Sequence, residues 1–160
     1  HIQDLGLTEA RNQLLAEMNA GVALANFFGH SGPTLWSFDR LFKAADAATL
    51  TNTGRPMIVN QWGCWNNYHV EPAYNTLSHK LLLNAGGGAA AVIGSAALAS
   101  AHAERLFARE FTEEVTQPGR TLGEALTNAK QRLAVSHPDL LDIHLGVTLL
   151  GDPALVLQPE

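Results

Sequence analysis

The stretch VALANFFGH, residues 22–30, decides the fold. Its first part, Val22–Phe28, is a continuous apolar run between two glycines, as expected of a β-strand covered on both faces. A second run of this kind, Pro56–Trp62, follows after one predicted crossover. We therefore expect two neighbouring parallel strands, with His30 just beyond the end of the first and Cys64 just beyond the end of the second.

Helix-like and strand-like segments alternate along the rest of the chain. Apolar residues recur at helical spacing in five segments: Thr8–Asn19, Leu35–Ala48, Asn75–Leu83, His102–Val115 and Leu122–Ala134. Further strands are predicted at Gly88–Ile93 and Val147–Leu150. Such alternation is typical of right-handed βαβ units. The sequence thus predicts a single α/β domain over residues 1–160, a three-layer sandwich with a mostly parallel sheet.

Composition limits the classes of function. Of the 160 residues, 46% are hydrophobic and only 16% are charged, which fits elements that are buried on several sides. The net charge of −5 and the lack of any Lys/Arg run argue against a nucleic-acid partner. The longest weakly polar stretch, Ala85–Ala101, is rich in Gly and Ala and is a poor membrane span. One cysteine excludes an internal disulfide framework.

His30 and Cys64 have the chemistry of a base and a nucleophile. Neighbouring strands lie about 4.8 Å apart, so the two residues would stand side by side at the edge where parallel sheets bind ligands. Only a few per cent of a free thiol is ionised at neutral pH. An adjacent imidazole raises that fraction and later protonates the leaving amine. The alternative is a cysteine buried as a small hydrophobic residue and a histidine that is an ordinary surface or core residue with its polar groups satisfied.

Glycine-rich turns accompany this pair. Backbone N–H groups of the Ser31–Gly32 turn and of Cys64 would form an oxyanion hole. Gly63 would let the backbone approach a substrate carbonyl closely. A serine esterase acting through Ser31 is disfavoured, because Pro33 stands where a Gly-x-Ser-x-Gly elbow has its last glycine.

Other motifs have weaker support. Gly86–Gly88 precedes its strand, which is the wrong order for a dinucleotide-binding loop. Zinc is disfavoured, because the seven histidines show no His-Glu-x-x-His spacing and there is no second cysteine. His102 and Glu104 are expected on a solvated helix face.

Several blocks, in this order and spacing, carry a family resemblance. They are Asn26–His30, Gly63–Cys64, Leu81–Leu83, Gly88–Ser95, Leu122–Ala125 with Lys130, and Leu149–Leu155. Together they resemble the gingipain-type cysteine peptidases, which have a caspase-like fold. The resemblance implies a caspase-like sheet that lacks its first strands. Residues 1–160, which begin at His1 rather than Met, would then be the carboxyl-terminal portion of a larger catalytic domain.

The resemblance also implies roles for residues of the site. Cys64 corresponds to the nucleophile and His30 to the general acid/base. Gly94–Ala99, starting with Gly94 and Ser95, would lie beside the substrate backbone, which would add as a strand. Three tryptophans would wall a specificity pocket, with ordinary packing as their alternative role: Trp36, Trp62 and Trp65.

Two departures from the family pattern concern the same site. The family commonly has His followed directly by Gly, whereas Ser31 here separates His30 from Gly32. The family favours basic residues at the cleavage site, yet no acidic residue stands out as the selector. Asp39 and Glu71 are candidates because they lie near the motif loops.

We therefore predict a cysteine endopeptidase that hydrolyses peptide bonds through a Cys64/His30 dyad and a thioester acyl-enzyme. The alternative is a catalytically inactive caspase-like interaction domain of a larger exported protein. The expected partners are a polypeptide substrate and the amino-terminal remainder of the protein's own precursor. No cofactor is predicted, with a structural calcium ion left open. The family suggests a bacterial protein that is secreted or held at the cell surface.

Overall fold

The computed structural model describes residues 2–70 and 75–157. The strands are β1 (Leu24–Phe28), β2 (Ser31–Gly32), β3 (Leu35–Trp36), β4 (Phe42–Lys43), β5 (Met57–Trp62), β6 (Ala89–Ser95) and β7 (Val147–Gly151). The helices are α1 (Ile2–Leu5), α2 (Leu7–Ala20), α3 (Ala44–Ala47), α4 (Leu77–Leu82), α5 (Ala101–Val115), α6 (Leu122–Ser136) and α7 (Leu141–Gly146). None of these helices is long and apolar enough to cross a membrane.

The central sheet has the strand order β1-β5-β6-β7. The pairs β1–β5 and β5–β6 are parallel, and β7 runs antiparallel to β6. All six residues of β5 are buried, as a continuous apolar run predicts for a strand covered on both faces. The predicted α/β class and the mostly parallel sheet are confirmed.

Helices cover the sheet on both faces and make it the middle layer of three. On one face, α5 and α6 pack through a cluster that includes Phe107, Phe111 and Leu133. The other face packs against α2 and α4 through Met18 and Leu81. The capping box predicted at Thr121 and Glu124 is present at the start of α6.

The predicted helix Leu35–Ala48 is wrong. These residues instead form strands β3 and β4, followed by the short helix α3. The three-to-four spacing of Leu35, Phe38 and Phe42 fits a helix, yet Phe38 is 81% exposed whereas Phe42 is fully buried. Trp36 stacks on Phe27 with a ring-centroid distance of 4.6 Å. Packing against β1 therefore overrides the local pattern.

Candidate active site

The register of β1 and β5 brings His30 and Cys64 to the same place. Phe28 pairs with Trp62, so each candidate stands two residues beyond a paired position. Gly29 N–H continues the ladder by donating to Trp62 O at 3.0 Å. Both residues line one cavity of about 320 Å³. Its other walls are the strand ends, Ala99, Ala101, Glu104 and Arg105.

The two reactive side chains have different immediate partners. The exposed His30 ring stacks on Phe38, with ring centroids 4.7 Å apart and planes inclined by 27°. The half-buried Cys64 thiol donates a hydrogen bond to Ala99 O at 3.4 Å. In the part of the chain that the structure describes, no hydrogen bond joins His30 to Cys64. Catalytic hydrogen bonds are often loose before substrate binds, so the pair stays a prediction.

Gly63 is the point of closest packing between the loops that carry His30 and Cys64. A Cβ atom at this position would lie 2.3 Å from Gly29 O and 2.4 Å from Ser31 Oγ. Ser31 Oγ also donates to Cys64 O at 2.8 Å. The sequence suggested that Gly63 makes room for a substrate carbonyl, but the closest atoms belong to the protein's own backbone and Ser31.

The predicted oxyanion donors differ in their surroundings. Ser31 and Gly32 form strand β2 rather than a turn, and Gly32 pairs with Leu35. Cys64 N–H makes no hydrogen bond within residues 2–70 and 75–157. Of the expected donors, the Cys64 amide is therefore free to face a developing oxyanion.

Asn66 organises the loop that carries Cys64 and was missed in the sequence. Its buried Nδ2 donates to Gln61 O and Gly63 O, both at 2.8 Å, and to Ser31 Oγ at 3.3 Å. A Cβ on Gly94 would lie 2.2 Å from Asn66 Oδ1, so that glycine makes room for the amide. The available signal was an asparagine next to a glycine-bounded strand end, a residue type that bonds to nearby backbone.

Glu104 does not lie on a solvated helix face, which corrects the sequence expectation. The residue is only 4% exposed, and its Oε1 has no hydrogen-bond partner in the described structure. Burial raises the pKa of Glu104 from 4.5 to about 7, a hydrogen bond from the Gly63 backbone opposes the rise, and the charge of Asp142 adds to it. The spacing to Phe107 and Phe111, at i+3 and i+7, was the signal for this inward face.

The sequence of the chain matches a known protein family. The sequence model of peptidase family C25 matches residues 3–158. The chain belongs to peptidase family C25. No curated protein sequence matches the chain significantly.

Solved structures show the C25 fold in longer chains. The Arg-specific cysteine proteinase gingipain R superposes with a TM-score of 0.80 at 20% identity, covering 92% of this chain and 36% of its own. The complex of the pro- and mature domains of RgpB from Porphyromonas gingivalis superposes with a TM-score of 0.80 at 22% sequence identity. This match covers 92% of this chain and 37% of the neighbour's chain. A structure described only as a protease superposes with a TM-score of 0.74 at 17% sequence identity, and the match covers 89% of this chain and 37% of that one. The likeness shows the fold, and this chain spans little more than a third of each.

The three tryptophans singled out for the C25 pocket lie in different places. Trp62 lines the cavity. Trp36 is buried in the core, where Nε1 donates to Gln61 Oε1 at 2.6 Å. The half-buried Trp65 packs edge-on against Tyr68, with ring centroids 4.9 Å apart. Trp36 and Trp65 are not among the residues that line the cavity, and these positions favour packing as their role.

The remaining predicted site residues, as far as the structure describes them, are not among those that line the cavity. Gly94 and Ser95 are buried at the end of β6, and Ser95 Oγ donates to Ala97 O at 3.0 Å. Asp39 is exposed in the turn between β3 and β4 and is not among the cavity residues. Glu71 lies outside the described residues.

No group of three or more His, Cys, Asp and Glu side chains in the described ranges could hold a metal ion. The sequence-based prediction of no cofactor, with a structural calcium ion left open, stays a prediction.

Proposed function

We propose that this C25 chain carries the catalytic dyad of a cysteine endopeptidase, with Cys64 as nucleophile and His30 as general acid/base. One observation carries the proposal: the in-register β1–β5 pair delivers both residues to the same cavity. The family match over residues 3–158 supports the reaction class. Peptide hydrolysis then follows from chemistry that these two side chains supply.

The reaction would proceed by acyl transfer. Cys64 Sγ passes its proton to His30 and attacks the peptide carbonyl carbon, while the Cys64 N–H stabilises the oxyanion. The C–N bond then breaks as the imidazolium protonates the leaving amine, which leaves a thioester on Cys64. A water molecule gives its proton to His30 and hydrolyses the thioester, and the thiol recovers its proton.

Labelling by a peptidyl acyloxymethylketone tests the dyad. The Cys64 thiolate displaces the carboxylate of the probe and forms a stable thioether. We expect Cys64→Ala to abolish labelling and His30→Ala to lower turnover by about 10²–10⁴-fold, the range of general acid–base catalysis. Leu83→Ala, at an 80% exposed side chain, is the matched control. Labelling no faster than that of a free thiol, together with no effect of His30→Ala, would refute the proposal.

We further propose that Glu104 selects a basic side chain next to the scissile bond. A carboxylate oxygen without a partner, in the same cavity as Cys64, is a binding group for a guanidinium or ammonium. The cation would supply the hydrogen bonds that Oε1 lacks and favour the ionised carboxyl. One structural neighbour is named Arg-specific, which agrees with this selection.

Matched peptide substrates with arginine or its neutral isostere citrulline test the selection. Glu104→Gln keeps the shape and removes the charge. We expect it to lower kcat/KM for the arginyl substrate by about 30-fold or more, the cost of losing one partner of a buried charge pair. The citrullinyl substrate should change little. An equal loss on both substrates would contradict the selection.

The second candidate is an inactive interaction domain of a larger protein. One contact favours it, because the Cys64 thiol donates to Ala99 O and not to His30. If Cys64 resists labelling while the folded protein still binds a polypeptide partner, this candidate replaces the first.

The open edge of β1 is our proposed contact for the amino-terminal remainder of the precursor. Ala23 O and Gly29 N–H bond to β5, so strand alternation points the N–H and C=O groups of Leu24, Asn26 and Phe28 away from it. No strand in the described ranges pairs with these groups. We expect the remainder, added in trans, to slow hydrogen exchange of these amides. Unchanged exchange on binding would exclude this edge.

We also propose that the protein is bacterial and exported, as the family suggests. Fractionation of the producing cells with an antibody to the chain tests this, and retention in the cytoplasm would refute it.

A further inference from the structure

The ring of His30 is held by an aromatic face rather than by a hydrogen bond. Phe38 stacks on it with ring centroids 4.7 Å apart and an interplanar angle of 27°. Neither ring nitrogen of His30 makes a hydrogen bond to the residues that the structure describes. Among the described residues, the contact that can orient this ring is the stack, whereas catalytic histidines are commonly oriented by a third polar group.

Two left-handed residues and several hydrogen bonds define the turn that carries Phe38. Ser37 and Arg40 adopt left-handed backbone conformations, with φ of 60° and 59°, which non-glycine residues rarely do. Ser37 N–H donates to His30 O at 2.7 Å, and Arg40 N–H donates to Ser37 O at 3.1 Å. Ser37 Oγ accepts from Leu41 N–H at 3.2 Å. These bonds tie the turn to the backbone of His30 and place Phe38 beside its ring.

Phe38 has no core role that would explain this construction. It is 81% exposed, and the aromatic residues before and after it in the hairpin, Trp36 and Phe42, are buried. Its described aromatic contact is the His30 ring, and the hydrogen bonds of the turn hold it at that place.

We propose that Phe38 is the positioning residue for His30, an inference that rests on the proposed function. The stack fixes the plane of the imidazole and occupies neither ring nitrogen. An aromatic face also attracts a cation, so the stack holds the ring equally when it carries the proton for the leaving amine. Phe38 therefore acts through His30 and needs no contact with substrate.

The size of the effect follows from the freedom that the stack removes. A histidine side chain has three staggered χ1 wells and a roughly two-fold χ2, or about six orientations. Losing the stack would spread His30 over these orientations and remove the attraction to the imidazolium. We expect Phe38→Ala to lower kcat by about 5- to 20-fold and to leave KM within about two-fold.

Four variants of the full protein, assayed on one arginyl amide substrate, test the inference. Phe38→Ala removes the ring, Phe38→Leu keeps apolar bulk without an aromatic face, and Phe38→Tyr keeps the face. Leu83→Ala is the control for loss of an exposed apolar side chain. We expect kcat to fall for Ala and Leu and to stay within about two-fold of the unaltered protein for Tyr and for the control.

The outcomes separate this inference from the proposed function. Turnover that is lost in Cys64→Ala and His30→Ala but kept in Phe38→Ala overturns the positioning role alone. The positioning role is also overturned by a normal kcat for Phe38→Leu, by a lowered kcat for Phe38→Tyr, or by variants that change KM and leave kcat unchanged. If the unaltered protein shows no dyad-dependent turnover, the proposed function fails and this inference fails with it.

Discussion

Replacing Glu104 by glutamine tests the buried carboxyl without any substrate. Glutamine keeps the shape of the side chain and an oxygen that accepts from the Gly63 backbone, and it cannot ionise. It therefore imitates the protonated carboxyl at every pH. The variant isolates one quantity, the free energy by which a buried negative charge destabilises the folded protein.

The magnitude follows from the pKa of Glu104, which burial raises from 4.5 to about 7. At 1.36 kcal/mol per pH unit, this rise corresponds to roughly 3 kcal/mol. Water in the adjoining cavity screens part of it, so we expect about 1–3 kcal/mol. Between these pH values the folded protein keeps a proton that the unfolded chain has lost. The free energy of unfolding therefore falls as pH rises from about 4.5 to about 7 and then levels off.

Urea denaturation at pH 4.5, 6, 7 and 8, followed by tryptophan fluorescence, measures this dependence. We expect Glu104→Gln to match the unaltered protein at pH 4.5 and to be more stable by about 1–3 kcal/mol at pH 8. Glu17→Gln, at an exposed carboxyl on α2, is the control and should track the unaltered protein. If the difference between Glu104→Gln and the unaltered protein is the same at pH 4.5 and pH 8, the carboxyl is not buried as described.

Three further predictions concern the same region. Gly63→Ala should lower the free energy of unfolding by about 1–3 kcal/mol, because the added Cβ would lie 2.3 Å from Gly29 O. Gly32→Ala is the control, since a Cβ there meets no atom within 4 Å, and urea titration compares the free energies of unfolding of the two variants. Asn66→Ala should cost about 1–3 kcal/mol in thermal unfolding, because buried carbonyls lose their donor, and an unchanged Tm would contradict this. The kcat/KM for an arginyl peptide should rise with pH through about 7 as Glu104 ionises, and this rise should be absent in Glu104→Gln.

Much of the fold could be predicted because its strands and long helices have strong local patterns. Val22–Phe28 and Pro56–Trp62 lie within two residues of the observed β1 and β5. The hairpin over residues 31–43 could not be predicted in this way. Its decisive contacts join Trp36 to Phe27 and to Gln61, residues distant in sequence. Helix α7 was also missed, since its six residues are too few to establish a period.

The site was predictable in so far as it depends on strand ends. Parallel strands bring their carboxyl ends together, so the convergence of His30 and Cys64 on one cavity follows from their sequence positions. Glu104 was placed wrongly because a charged residue is ordinarily solvated, and only the shared face with Phe107 indicated otherwise. Asn66 acts through hydrogen bonds to three other residues, and single-residue preferences do not reveal such a network.

Because β1 is an edge strand, partial unfolding should displace His30 more easily than Cys64. Among the described strands, Cys64 follows an interior strand, whereas His30 follows a strand that pairs on one side only. Partial unfolding starts where fewest bonds must break, so β1 should detach before the remainder of the sheet opens. His30 would then leave the cavity while Cys64 still lines it, and any activity that depends on both residues would be lost before the global transition in urea. A strand docked at that edge would lengthen the lifetime of the active state.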